Sequence, residues 1–258
     1  MLPETHSLQE HAISRYLIIA DVHANLEALN AVIAAAAPFE QLWCLGDLVG
    51  YGPNPNECIE LIRRYDHVAV AGNHDWVACG KRTAAGFNPN AAYAAQWTAT
   101  QLNAEARRFL FDLPETVTKE DFLLVHGSPR APTQEYLFRA AEAEKCGKHF
   151  STTYCFVGHT HVPCAFIEAG RDSPSDVYGV ALRSGEPLPL DGRMRMIVNP
   201  GSVGQPRDYN PQAAYGIYDT GSREFQLHRV AYDVAATQEN MRAADLPESL
   251  IKRLAFGV

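Results

Sequence analysis

Five short apolar runs in this chain of 258 residues give way at once to residues that bind metals. Tyr16–Ala20 leads into Asp21-Val22-His23, Leu42–Leu45 into Gly46-Asp47, and Val68–Ala71 into Gly72-Asn73-His74-Asp75. Phe122–Val125 leads into His126-Gly127, and Tyr154–Val157 into Gly158-His159-Thr160-His161. Runs of this length and character read as buried strands. In parallel α/β sheets, side chains just past the strand C-termini converge on one crevice. The donors gathered there suffice for two ions, and the pattern predicts a dinuclear metallohydrolase.

The intervals between the runs support an α/β reading. Asn25 to Ala37 is rich in alanine and leucine at helical spacing and stops before Pro38. Asn54 to Arg64 is opened by Pro53 and Pro55 and closed by a basic last turn, so it predicts a second helix. Strands and helices that alternate from Tyr16 to Ala71 predict right-handed parallel crossovers. Asn88 to Leu113 reads as one long amphipathic helical stretch with Trp97, Leu102 and Phe109 as packing residues. It is the main part of an expected cap segment, about 79–113, over the crevice. Ala140 to His149 reads as a further short helix.

Beyond His161 the pattern changes to alternating runs, Val162–Ile167, Met194–Val198, Ala214–Tyr218 and Phe225–Val230. These suit an antiparallel or mixed second sheet. Gly170 to Gly192 is rich in Gly, Pro, Ser and Asp and reads as an inserted loop or hairpin. Asp233 to Leu254 reads as helix with a break near Pro247. One domain over 1–258, with two facing sheets flanked by helices, is the expected organisation.

Composition narrows the partners. A formal net charge of −8 argues against the basic stripe that holds a nucleic-acid backbone, so no stable nucleic-acid binding is expected. A small phosphorylated substrate, a nucleotide included, is compatible, because a metal cluster can outweigh the global sign. The six cysteines contain no Cys-x-x-Cys pair, and Cys44 and Cys155 sit inside apolar runs, which predicts a reduced cytoplasmic setting. Met1 to Ser14 is polar and lacks the apolar stretch of a secretion signal. No segment approaches the length needed to span a bilayer, so no membrane partner is expected.

Carboxylate, imidazole and amide donors suit borderline divalent ions in a hydrolytic site. Asp21 and His23 alternate by two, as do His159 and His161, so each pair is expected on one side of an extended strand end. Asp47 has two oxygens and can bridge two ions; Asn73 adds a carbonyl oxygen and His126 an imidazole. Two dications, balanced by Asp21, Asp47 and a bridging hydroxide, leave roughly one positive charge for a phosphate oxyanion.

These motifs, in order, resemble the calcineurin-like metallophosphoesterase superfamily, and most closely its small prokaryotic phosphodiesterase branch. They are Asp-x-His, Gly-Asp-x-Val-Gly-Tyr-Gly, Gly-Asn-His-Asp, His-Gly-Ser-Pro, Gly-His-Thr-His and the stretch Asn199-Pro200-Gly201-Ser202-Val203-Gly204-Gln205-Pro206-Arg207. The resemblance runs from about Tyr16 to Val230. It implies a four-layer α-β-β-α sandwich of two mixed sheets between helices. It implies one metal on Asp21, His23 and His161, the other on Asn73, His126 and His159, and Asp47 bridging them. Mn²⁺ is the expected ion, with Fe, Zn, Ni and Co as alternatives. His74 is implied as the residue that contacts the scissile phosphate and acts as general acid.

Two departures from the family narrow the branch. The protein Ser/Thr phosphatases and symmetrical diadenosine tetraphosphatases carry a phosphate-binding Arg after Gly-Asp-x-Val, where this chain has Gly50-Tyr51-Gly52. Gly50 also stands where the Ser/Thr phosphatases have an Asp that orients the catalytic His. Ala24 replaces a frequent Gly, a change of little expected consequence.

The expected activity is therefore hydrolysis of phosphodiesters by a hydroxide that bridges two metal ions. Phosphomonoesterase, protein phosphatase or nucleotide pyrophosphohydrolase activity is the enzymatic alternative, and a metal-binding scaffold the non-enzymatic one. Asn25 has two readings of equal weight, helix cap and substrate contact. Arg207 is a candidate phosphate contact whose alternative is a surface ion pair. Tyr51 is read as filling a turn, Trp97 and Phe109 as core, and His6, His11, His67, His149 and His228 as packed or surface histidines.

Overall fold

The computed structural model describes residues 14–169 and 176–258; the positions expected for His6 and His11 and the first part of the expected loop lie outside them. Strand alternation sets the packing. In β1 (Arg15–Ile19), Leu17 and Ile19 face one side and Ile18 the other; in β2 (Gln41–Cys44), Leu42 and Cys44 oppose Trp43. The first set packs with Leu29 and Val32 of α1 (Leu26–Ala36) and Ile59 and Ile62 of α2 (Pro55–Arg63). Ile18 and Trp43 instead meet Phe122, Tyr154, Phe156 and Met196 of an opposing sheet. That sheet's other face, with Leu123, Val125, Cys155 and Val157, packs on Leu137 and on Ala143 and Cys146 of α6 (Ala140–Cys146). Each large side chain fully buried in this way contributes about 1.5–3 kcal/mol. The layers are helix, sheet, sheet, helix, the expected α/β sandwich.

Each sheet has six strands among the described residues. In the first, β3 (His67–Ala69), β2 and β1 are parallel neighbours. The antiparallel strands β11 (Ala213–Asp219), β12 (Glu224–Val230) and β9 (Pro187–Pro189) then complete it. The second runs β4 (Thr116–Lys119), β5 (Phe122–Val125), β6 (Tyr154–Phe156), β10 (Arg195–Asn199), β7 (Cys164–Glu168) and β8 (Val177–Ala181). There β5, β6 and β10 are parallel and the remaining pairings antiparallel.

The five runs that lead into the candidate ligands are thus divided, three in one sheet and two in the other, and do not lie ahead of a separate C-terminal sheet. Between Ala71 and Phe122 the chain passes through α3 (Asn73–Ala78), α4 (Pro89–Gln101), α5 (Ala104–Asp112) and β4. That excursion is long enough to start β5 in the facing sheet, and the late β11–β12 hairpin returns to the first.

The stretch Asn88 to Leu113 is two helices. Leu102 takes an extended backbone and the Asn103 side chain accepts from Ala106 N at 2.8 Å, starting α5 afresh. Ala106 and Leu110 of α5 join the core of the first flank, while Ala91 and Ala94 of α4 pack with Tyr51 and with Met241 and Leu250 of α7 (Val234–Ala243) and α8 (Glu248–Arg253). Of the expected cap, Phe87 ahead of α4 packs on His74, with ring centroids 4.6 Å apart. The described part of the expected inserted loop carries β8 and β9, edge strands of opposite sheets; the prolines of β9 suit an edge position.

Candidate metal centre

The candidate ligand residues follow the strand ends in tight turns. Asp21, His23, Asp47, His159 and His161 all take positive φ, between 48° and 68°. This left-handed backbone costs non-glycine residues about 1–3 kcal/mol each and persists where surrounding contacts impose it. The spacing by two in Asp-x-His and His-x-His therefore acts through left-handed turns, and the extended geometry expected for those pairs is replaced.

Backbone ties impose the turns. Asp21 N–H donates to Gly46 O and His23 N–H to Asp47 O, at 3.0 and 2.9 Å, which joins the first two ligand loops. His159 N–H donates to the Asp21 carboxylate at 3.0 Å, joining the two sheets, and Gly158 N–H donates to His126 O at 2.7 Å. A Cβ at Gly72 would lie 2.0 Å from Asp47 Oδ1, so only glycine lets the third loop approach the second.

The donors form two buried groups. In one, Asp21, His23 and His161 converge: His23 Nε2 and His161 Nε2 are 3.2 Å apart, and Asp21 Oδ1 is 3.3 Å from His161 Nε2 and 3.9 Å from His23 Nε2. In the other, His126 Nε2 lies 3.0 Å from His159 Nδ1, 3.1 Å from Asn73 Oδ1 and 3.3 Å from Asp47 Oδ2. Asp47 Oδ2 is also 3.7 Å from His23 Nε2, so it sits between the groups. Donors about 2.1 Å from a common ion are about 3.0–3.4 Å apart at octahedral or tetrahedral angles, which most of these separations match.

The histidine tautomers test that fit independently. Nδ1 of His23, His126 and His161 faces the carbonyl oxygen of Val49, Leu45 and Gln205 at 3.2, 2.8 and 2.6 Å. A carbonyl only accepts, so each Nδ1 carries the proton and each Nε2 presents a lone pair. Two lone pairs facing each other at 3.2 Å, as on His23 and His161, are favourable around a shared cation and repulsive otherwise. The residues fit a pair of divalent ions. Burial holds His23 and His159 well below the usual histidine range and lowers His161, keeping them neutral as ligands must be. For His126 burial is outweighed by the Asp47 charge and hydrogen bond, which take it up to about 9.

His74 stands beside the two groups. Its ring is held by Tyr51 at 4.4 Å, Phe87 at 4.6 Å and, edge-on, His23 at 5.1 Å. Its backbone N–H donates to Asp47 Oδ1 at 2.9 Å, so that carboxylate's second oxygen is free for the ligand cluster. His74 Nδ1 is buried without a hydrogen-bond partner among the described residues, and a Cβ at Gly50 would lie 2.5 Å from it. Packing rather than a carboxylate sets this ring. Burial, aided by the charges of Arg207 and the other histidines and opposed by Asp47, takes its pKa down to about 4.

Asn25 is buried and caps α1: its Oδ1 accepts from Ala28 N–H at 3.1 Å and from Thr237 Oγ1 at 3.1 Å, while Nδ2 donates to Gly204 O at 3.0 Å. Of its two readings, the cap is the one displayed. Arg207 donates to Gln205 Oε1 at 2.8 Å and its guanidinium lies 5.9 Å from the Tyr51 ring; its Nε is buried and unpartnered, and it has no carboxylate partner among the described residues.

Three supporting residues were not singled out in the sequence. Asp75 accepts from Gly72 N–H and Val49 N–H at 2.9 and 3.1 Å, locking two loops, and burial with the Asp47 charge raises it to about 7. Asn199 donates to Gly158 O and Thr160 Oγ1, holding the His159–His161 turn, and Ser202 Oγ donates to Asp21 O at 2.8 Å. Their presence in ordered motifs was the only available signal. A cavity of about 550 Å³ on the outer face of the second sheet, between α6 and β10, contains none of the ligands, so size alone would misplace the site.

The description "calcineurin-like phosphoesterase superfamily domain" matches residues 15–223, most of the chain and all of the ligands. The chain belongs to the calcineurin-like phosphoesterase superfamily. A crystal structure of a metallophosphoesterase from Sphaerobacter thermophilus is 46% identical with a TM-score of 0.86, covering 96% of this chain and 100% of that one. An uncharacterized protein from Methanocaldococcus jannaschii is 37% identical over 95% of this chain and 98% of its own length. A hypothetical protein from Pyrococcus horikoshii shares the fold at 20% identity, with a TM-score of 0.76 over 95% of this chain and 98% of that one. Calcineurin-like phosphoesterases hydrolyse phosphate esters and generally bind two divalent ions, the complement for which these ligand groups are suited.

Proposed function

We propose that the chain is a dinuclear phosphodiesterase, with Asp21, His23 and His161 on one divalent ion, Asn73, His126 and His159 on the other, and Asp47 shared. The position of Asp47 Oδ2, within 3.7 Å of both His23 Nε2 and His126 Nε2, carries this reading. Mn²⁺ is the ion to load first, since the donors mix oxygen with imidazole nitrogen. Two such ions would supply Lewis-acid polarisation of the phosphoryl group and would acidify a water for the hydrolysis.

The chain's own residues complete the reaction. The turns hold the donors before substrate arrives, so little reorganisation is needed during catalysis. His74 lies clamped against the cluster and delivers a proton to the leaving oxygen. His74 is kept neutral by burial and, less, by neighbouring positive charge; an anionic substrate beside it favours the protonated ring, which makes His74 the donor on substrate binding. Arg207, whose buried Nε has no hydrogen-bond partner among the described residues, contacts a non-bridging oxygen in this reading, in place of the arginine missing at Gly50-Tyr51. A diester keeps one negative charge, which matches the roughly single positive charge left when two dications are balanced by Asp21, Asp47 and a hydroxide.

The test is hydrolysis of bis-p-nitrophenyl phosphate beside p-nitrophenyl phosphate by protein stripped of metal and reloaded with Mn²⁺. Metal-dependent cleavage of the diester above the monoester is expected, with turnover lost in His74→Asn. Monoester preference would move the assignment to a phosphatase. No turnover of either, with two ions bound, would favour a scaffold.

A further inference from the structure

Two aromatic side chains beside the ligands have no part in hydrolysis itself. Tyr136 lies flat on the ring of His159, with centroids 3.7 Å apart and planes 18° apart. Phe138 stacks on Tyr136 in turn, at 5.6 Å and 9°. Both residues are exposed, Tyr136 by 43% and Phe138 by 59%. Stacked aromatics left this exposed gain little for the fold, and they begin at a metal ligand.

The segment that carries them is built to hold them still. It leaves β5 at His126 and folds back at once, with Gly127 N–H donating to Pro132 O at 2.5 Å. Ser128 Oγ donates to Glu135 Oε2 at 2.6 Å, and Arg130 pairs with the same carboxylate. Phe138 N–H donates to Glu142 Oε2 at 2.8 Å, fixing its backbone to the start of α6. The backbone is therefore pinned on both sides of Tyr136 while the rings face outward.

We propose that Tyr136 and Phe138 form a stacking subsite for the planar aromatic part of a phosphate ester held at the metal centre, a nucleoside above all. Resting on the phosphodiesterase reading, this makes nucleoside phosphodiesters the substrate class and disfavours glycerol and other alkyl diesters. Every nucleobase offers a π-face, so the platform is tolerant of base identity. It joins recognition of the ester group to the metal site through one short segment, since His126 is a ligand and Phe138 the outer ring.

The test compares AMP with glycerol 3-phosphate, two monoesters that differ in the aromatic group, as ligands of the Mn²⁺-loaded protein by calorimetry. AMP is expected to bind about tenfold tighter, the range of one base stacking on an aromatic side chain. Phe138→Ala should erase most of that ratio and Phe138→Trp restore it. Equal affinity for the two esters in the wild-type protein, or a ratio unchanged in Phe138→Ala, would overturn the subsite. Hydrolysis of adenylyl-3′,5′-adenosine beside glycerophosphocholine separates the two claims. Equal cleavage of both diesters overturns the substrate preference and leaves the phosphodiesterase reading standing. A Phe138-dependent binding ratio with neither diester cleaved supports the subsite and removes the phosphodiesterase reading.

Discussion

Gly50→Ala isolates the role of His74 from that of the metals. An added Cβ would lie 2.5 Å from His74 Nδ1, 2.9 Å from its Cγ and 3.0 Å from its Cβ, where ordinary contact begins at 3.4 Å. The ring must therefore retreat by about 0.9 Å, and Tyr51 and Phe87 at 4.4 and 4.6 Å leave it no free direction. A misplacement of about 1 Å at a reacting group can cost roughly 100-fold in rate, which is about 2.7 kcal/mol of barrier. Gly50 also has φ of +90°, so alanine adds backbone strain of about 1–3 kcal/mol. That strain lowers Tm by about 2–4 °C for each kcal/mol in a chain of this size. Because the His74 ring supplies no ligand atom and only its backbone N–H is tied to Asp47, metal content should stay at the wild-type level. Turnover of bis-p-nitrophenyl phosphate, metal by mass spectrometry and thermal melting are read together. A folded, fully loaded variant whose turnover stays within threefold of wild type would refute the reasoning.

Arg207→Met should raise KM for the diester about tenfold with a smaller change in kcat, as loss of a phosphate contact predicts; an unchanged KM would remove Arg207 from the site. Ser202→Ala strips a donor from Asp21 O and an acceptor from Gln205 N–H, both buried, and should cost about 1–3 kcal/mol for a group left unsatisfied. Urea unfolding measures it, and an unmoved midpoint would contradict the buttress. Burial raises the thiols of Cys58 and Cys155 well above the ordinary value and that of Cys164 to about 12, so their thiolate fraction at pH 8 is negligible. Native protein should react with a disulfide reagent far more slowly than unfolded protein at that pH, and equal rates would contradict the packing.

The strand that carries His126 was legible to the residue, Phe122–Val125, because an apolar run covered on both faces ends where the first polar ligand begins. The seven candidate ligands follow such runs at once, and the fold brings their donor atoms together. What escaped depends on distant partners. The division of the runs between two sheets follows from the excursion between Ala71 and Phe122, whose helices have no pattern stating which sheet they lead to. The left-handed turns at Asp21 and His159 are imposed by hydrogen bonds from elsewhere, which local preference does not predict. Ser202 reaches Asp21 across 181 positions, and no periodicity marks such a contact. Asn103, read as helix interior, caps a new helix, since asparagine competes for backbone donors wherever the chain lets it. Tyr136 and Phe138 lie in an irregular segment, where aromatic residues have no period to reveal their facing.

Metal stoichiometry of three proteins reloaded with Mn²⁺, the wild type, His161→Ala and Asp47→Ala, tests the shared-ligand centre most directly. Two ions per chain are expected in the wild type, about one in His161→Ala, and loss of tight binding at both positions in Asp47→Ala, because its carboxylate lies between the groups. A wild type that saturates at one ion, or an Asp47→Ala protein that still holds two tightly, would contradict it.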